Sequence, residues 1–225
     1  VTFLELVTAL AEKLGGVSAP ATVSGVTGSQ LRLVNAISEA WDEIQARRTD
    51  WKWMRASFQF NTTVGTAAYT PDDVGLTDHA VWHLDTFRIY LTSAGVRGMI
   101  PLPNWEWQAW RNNYGFGSLS LTQSYPVTWA ERPEDLAIVL GPIPNDVYTV
   151  DGEYQRRPTS LEADDDTPAM PARFHRLIVY SALEAMGEFD AAPEVFGRGA
   201  RKYKQINSDL IRDQTAPMGM PRALA

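Results

Sequence analysis

Residues 29–61, SQLRLVNAISEAWDEIQARRTDWKWMRASFQFN, change their hydrophobic period part-way along. Leu31, Val34, Ile37, Trp41 and Ile44 recur at intervals of three and four, while Arg32, Glu39, Asp42, Glu43 and Arg47 fall largely on other faces. That is the pattern of an amphipathic helix with one buried stripe. Ser29 is placed to cap its N-terminus, and a helix reaching Asp50 would run about 33 Å at 1.5 Å per residue. After Asp50 the period becomes two, with Phe58 and Phe60 on one side and Ser57, Gln59 and Asn61 on the other, which predicts a strand.

The segments on either side extend both patterns. Toward the N-terminus, Leu6, Val7, Leu10 and Leu14 predict a short helix over Phe3 to Leu14, stopped by Gly15-Gly16. Toward the C-terminus, Val64-Gly65-Thr66 predicts a hairpin turn into Ala67 to Thr70. Further strands are expected at Leu84 to Thr92, Val127 to Glu131, Ala137 to Leu140 and Tyr148 to Arg157. Arg132-Pro133-Glu134-Asp135 has the chemistry of a turn between two of them. One helix interrupts this region, over Trp105 to Asn113 with Asn104 as its cap and Tyr114-Gly115-Phe116-Gly117 as its end. A loop rich in Asp and Pro, Leu161 to Pro171, then leads to a helix through Phe174, Leu177, Ile178, Ala182 and Met186. A last helix covers roughly Glu194 to Asp213. The order is α, β, α, an α+β chain, divided as residues 1–50, 51–158, 159–213 and an extended tail, 214–225.

Composition narrows the chemistry. Among 225 residues there is no Cys, so disulfides, thiolate metal sites and a cysteine nucleophile are excluded. No apolar run approaches the roughly 18 residues of a membrane span, and no cationic start precedes an apolar core. The expectation is a soluble protein made in the cytosol, with no membrane partner. The net charge of −7 is spread along the chain, without an acidic or basic tail.

Candidate chemical sites are few. His79 and His83 stand four apart, as helical zinc ligands do, but lack the intervening Glu of a metalloprotease and follow loop residues. They and His175 are read as packing or capping residues. Asp164-Asp165-Asp166 supplies oxygen ligands for a divalent cation, and would make a metal-dependent hydrolase conceivable; its spacing fits a turn better than a calcium loop. Gly115-Phe116-Gly117 lacks the third Gly of a phosphate loop, and no G-x-S-x-G elbow occurs. No catalytic set, metal site or cofactor is expected, and the chain is read as not an enzyme.

Two surface features suggest binding. Eight Trp residues, with the Tyr residues, either form a platform for sugars or nucleic acids, giving a carbohydrate-binding β-domain as the alternative function, or anchor core and subunit interfaces. Trp105, Trp107 and Trp110 are the candidates for an intersubunit contact, since Trp105 and Trp107, two apart on a helix, cannot both face inward. Arg198, Arg201, Lys202 and Lys204 form a basic cluster, either a contact for phosphates or an acidic partner, or a solvated helix face.

Three phrases, LRLVNAISEAWDEIQARRTDWKWM, FQFNTTVGTAAYTPDDVG and LGPIPNDVYTVDGEYQRRPTSLEADDDTPAMPARFHRLIVYSAL, together resemble the head-to-tail adaptor (connector) proteins of tailed bacteriophages, of the tail accessory or tail tubular A-like superfamily. The resemblance implies a helical bundle built from both ends of the chain with an inserted antiparallel β-rich domain. It implies a dodecameric ring in the virion at the head–tail interface, below the portal protein, extending the channel for passing double-stranded DNA and offering a platform to a tail, tail-terminator or nozzle protein. It also implies a C-terminal tail that docks on the portal. By position this is Gln214, Thr215, Pro217, Met218, Met220, Pro221 and Leu224, a stretch with apolar groups but no core of its own. Twelve copies would carry −84 (12 × −7), so an acidic channel wall would let DNA slide; the basic cluster would face either the channel or the portal.

Overall fold

A computed structural model describes residues 1–190 and 192–214. Among them the helices are α1 (Phe3–Leu14), α2 (Gly28–Ala46), α3 (Trp107–Tyr114), α4 (Arg176–Phe189) and α5 (Pro193–Gln214). The strands are β1 (Arg55–Asn61), β2 (Ala68–Tyr69), β3 (His79–Trp82), β4 (Arg88–Leu91), β5 (Ile100–Pro101), β6 (Gln123–Ser124), β7 (Thr128–Glu131), β8 (Ile138–Gly141), β9 (Ile143–Pro144) and β10 (Tyr148–Arg156). The protein is therefore α+β. It divides into a helical unit, Val1–Met54 with the chain from Pro158 onward, and a strand-rich unit, Arg55–Arg157.

In the helical unit, α1 starts on a capping box. Thr2 Oγ1 accepts from the Glu5 amide at 3.3 Å and the Glu5 carboxylate accepts from the Thr2 amide at 2.9 Å. The next two amides of this first turn, which no helix can satisfy internally, donate to the acidic loop: Phe3 N to Asp166 O at 2.7 Å and Leu4 N to Asp164 O at 3.2 Å. Phe3, Leu6, Val7, Leu10 and Ala11 of α1 are buried.

The second helix departs from expectation at both ends. Thr27, not Ser29, holds the N-cap position, and α2 ends at Ala46. Beyond it the Trp51 indole folds back and donates to the Ile44 carbonyl at 3.1 Å, taking up one of the carbonyls a helix end leaves open. The buried stripe is Leu33, Val34, Ile37, Ala40, Trp41, Ile44 and Gln45, while Leu31 is exposed. Trp41 Nε1 and Gln45 Nε2 both donate to Thr159 O, at 2.6 and 3.0 Å, and Thr159 N donates back to Gln45 Oε1 at 3.0 Å. This fixes the chain where it re-enters the helical unit.

Helices α4 and α5 complete the core with Leu177, Ile178, Val179, Ala182, Leu183, Met186, Tyr203 and Leu210. Each fully buried aliphatic side chain contributes about 1.5–3 kcal/mol relative to exposure. Pro193 opens α5, a position where its missing N–H costs no helical bond. The two helices approach through glycines: a Cβ on Gly187 would strike the Phe196 backbone, and one on Gly199 would come 2.7 Å from Glu184 N.

In the strand-rich unit the nine-residue β10 is central. One edge pairs with β1 from Arg55↔Gln155 to Asn61↔Thr149; the other pairs with β4 from Tyr148↔Leu91 to Asp151↔Arg88 and with β3 at Tyr154↔Trp82. Strand β5 extends the sheet beyond β4. A second sheet has the order β2-β8-β7, and β6 and β9 form a short parallel pair. Phe58, Trp82, Phe87, Ile89, Trp129, Leu140, Tyr148, Val150 and Tyr154 fill the main core.

The turn at Arg132 to Asp135 joins β7 to β8 as expected, with Arg132 bonded to Asp135 at 2.8 and 2.6 Å. The turn at Val64 to Thr66 does not make a hairpin: β1 is already paired along its length with β10, and the chain crosses to place β2 against β8. The segment Leu84 to Thr92 opens as a 3-10 turn at Leu84–Thr86, so β4 begins only at Arg88. Glu106, not Asn104, caps α3, accepting from Ala109 N at 3.0 Å. Asn104 is held in a bridge to Trp129, and Trp105 precedes the helix.

Candidate docking surfaces

The C-terminal end of α5 is pinned. Lys52 Nζ donates to Asp213 O at 2.9 Å, and Arg173 pairs with the Asp213 carboxylate, which lies below the usual carboxylate range through its bonds from Gln214 and Arg173. Gln214, placed at the head of an extended tail by sequence, is instead the last residue of α5 and is 7% exposed. Leu210 one turn earlier is fully buried, and that anchors the final turn as helix. Thr215, Pro217, Met218, Met220, Pro221 and Leu224 lie outside the described residues.

The basic cluster on α5 separates into two parts. Arg198 Nη2 donates to Lys13 O at 3.0 Å and so caps the C-terminal end of α1. Arg201, Lys202 and Lys204 are exposed, while Gly199, Tyr203 and Leu210 of the same helix are buried. Among the described residues none of these three has a carboxylate partner.

A groove of about 340 Å³ runs between α2 and α4, lined by Arg32, Asn35, Ala36, Glu39, Ala185, Met186 and Phe189. Phe189 is 78% exposed, with the Arg32 guanidinium 4.7 Å from its ring centre, and Arg32 also pairs with Asp190 at 2.8 Å. Next to Ala185 on α4, the Glu184 carboxyl is pushed up by burial, with Glu43 and Glu188 adding to the rise and Arg47 opposing it. Sequence reasoning missed this groove. Its one signal is Phe189, a large apolar residue at the end of a helix whose stripe already points elsewhere.

Five of the eight Trp residues, Trp41, Trp51, Trp82, Trp110 and Trp129, are buried, which leaves Trp53, Trp105 and Trp107 with surface exposure. Trp110 packs on Ala130, Ala137 and Val139 and stacks on half-buried Trp107 at 5.4 Å. Only Trp105 of the expected interface trio is exposed. It lies 6.0 Å from the Tyr114 ring, and Phe116, Leu119 and Leu121 just beyond α3 are exposed as well.

The candidate metal ligands are used structurally. Asp164 Oδ1 accepts from Val23 N at 2.6 Å and Thr22 Oγ1 at 3.1 Å, and Asp166 Oδ2 accepts from Glu162 N at 2.7 Å and Ala163 N at 2.8 Å. Those two amides hold the Asp166 carboxyl below its ordinary range. His79 begins β3 and His83 lies beyond its end, so the spacing of four places them on no common helical face. Burial against Trp82 and Tyr154 lowers the His79 pKa to about 4. His175 Nε2 bonds to Met170 O at 2.9 Å.

These surfaces suit docking, and comparison with protein families names the kind. The model for the SU10 adaptor protein matches residues 1–223. The chain belongs to this family of phage head-to-tail adaptors. No curated protein matches it. The adaptor is a structural component of a phage particle. No described helix of the adaptor is long and apolar enough to cross a membrane.

Proposed function

We propose that the adaptor is one subunit of a ring, twelve copies by its resemblance, that sits below the portal, prolongs the DNA channel and offers the tail its platform. The observation that carries this reading is the family match across nearly the whole chain. In this reading the segment after Gln214 docks on the portal through Pro217, Met218, Met220, Pro221 and Leu224, with Thr215 at its start. The pinned end of α5 supports it, because a segment leaving a fixed point loses less freedom on docking than one leaving a loose end. Trp105, with Phe116, Leu119 and Leu121, supplies exposed apolar area for a neighbouring copy or the tail. The net −7 on each copy keeps passing double-stranded DNA from being gripped. The role is assembly and calls for no cofactor or catalytic group.

The test is native mass of the purified chain, the portal ring and their mixture. The reading expects a complex with several adaptor copies on each portal ring. A portal that elutes with no adaptor bound would sink it.

A further inference from the structure

The five-stranded sheet ends in edges of different kinds. On the β5 side, Leu102 N donates to Phe87 O at 2.9 Å and Ile100 lies opposite Ile89, so the backbone groups turned outward belong to Met99, Pro101 and Pro103. The two prolines have no N–H, and Pro103 O already accepts from Trp129 N at 3.1 Å. Proline at such positions bars a further strand. Strand β3, on the same side of β10, is only four residues long and shifts register between Gln155 and Arg156.

Strand β1 carries none of these guards. Thr62 N donates to Tyr148 O at 2.8 Å and Asn61 lies opposite Thr149, so residues 56, 58, 60 and 62 turn their backbone groups toward β10. Those of Arg55, Ser57, Gln59 and Asn61 point the other way, and among the described residues no hydrogen bond reaches them. These four residues are exposed, and Ala56 and Phe60 are only half-buried at the margin of the core. The strand is seven residues long without proline, and its one charge, Arg55, is paired with Glu153. An open edge of this length is a template for another strand.

We infer that the free edge of β1 receives an extended strand of the tail protein, which pairs with the backbone of Ser57, Gln59 and Asn61 and sets an apolar side chain at every second position beside Ala56, Phe58 and Phe60. A second copy of the chain does not suit the edge. Its β5 side is barred by proline, and β1 against β1 is an isologous contact that stops at two and builds no ring. The portal contact is assigned above to the segment after Gln214, which leaves the tail as the strand donor; the inference thus rests on the platform reading.

The test joins purified tails to heads that carry portal, using full-length wild type, Ser57→Pro and Ser57→Ala. Proline at 57 removes an outward N–H and none of the bonds from β1 to β10, whereas alanine keeps the N–H. Both variants should melt and bind portal as wild type does. Ser57→Pro should join tails at least about tenfold more weakly, and Ser57→Ala should join them normally. In the wild-type chain, amide hydrogen exchange across residues 55–61 should slow once tails are joined, a readout that decides the matter even where Ser57→Pro fails to fold. Normal joining by a folded Ser57→Pro, or exchange across 55–61 that tails do not slow, would overturn the inference and leave the platform reading intact. An equal loss in Ser57→Ala would place the effect in the side chain and overturn strand addition. Dimers of the wild-type chain that Ser57→Pro dissolves, with tail joining unchanged, would also overturn it and give the edge to a second copy. Tails that join heads lacking this chain would defeat the platform reading and this inference together.

Discussion

Gly199 of α5 sits directly on the backbone of α4, where an added Cβ would come 2.7 Å from Glu184 N. The obstacle is backbone, which cannot swing aside, so Gly199→Ala must push the helices apart. Overpacking of this kind costs about 1–3 kcal/mol, against a helix-propensity gain of about 1 kcal/mol. The expected net loss is about 1 kcal/mol, seen as a melting temperature lower by about 2–4 °C. A higher melting temperature would show that the helices do not meet here.

The Gln45 amide and the Thr159 backbone hold each other by two bonds, and Trp41 adds a third at the same carbonyl. Gln45→Ala leaves the Thr159 amide without its acceptor and is expected to cost about 1–3 kcal/mol by denaturant unfolding. Trp41→Phe, which leaves Thr159 O still bonded by Gln45, removes about 1 kcal/mol through its hydrogen bond, plus any packing loss. Because the two share Thr159, their effects should not add. Strict additivity would count against the shared anchor.

Stability should fall in two pH windows. Burial lowers the His79 pKa from 6.5 to about 4, so the folded protein prefers the neutral ring. That contribution is present above 6.5 and is lost as the pH drops toward about 4, beyond which it changes no further. Asp166, held below its ordinary 3.8 by two amides, contributes above that value and loses its effect as the pH falls through its lower folded pKa. His79→Phe should flatten the upper window and Asp166→Asn the lower, in melting temperature against pH. Unchanged profiles would refute the assignments. Since amides already occupy Asp164 Oδ1 and Asp166 Oδ2, chelator should leave the melting temperature unchanged.

A chain ending at Gln214 should melt as the full chain does, because Leu210, Asp213 and Gln214 finish the helical unit themselves. On the proposed role it should no longer bind the portal. Full portal binding by this shortened chain would remove the tail from the mechanism.

Long periodic segments were legible in the sequence. The faces of α1 and α2 and the turn before β8 follow from local spacing and turn chemistry, which tertiary packing reinforces. Features set by distant partners were not. Leu33 displaces Leu31 from the stripe because the rest of the bundle decides which edge of the face is covered, and the end of α2 depends on the Trp51 indole returning to Ile44. Strand pairing is equally nonlocal: β1 has its partner about ninety residues away in β10, which no hairpin signal reveals. For the candidate surfaces, the α5 basic cluster was visible as composition. That Arg198 is spent on α1, and that Phe189 stands outside the core, emerge only once the helices are packed.

The most direct measurement of the adaptor role is made on particles assembled without this chain. The account predicts DNA-packaging heads that carry portal but no tail, with tail attachment restored when the purified full-length protein is added. Tailed, infectious particles formed in its absence would contradict it.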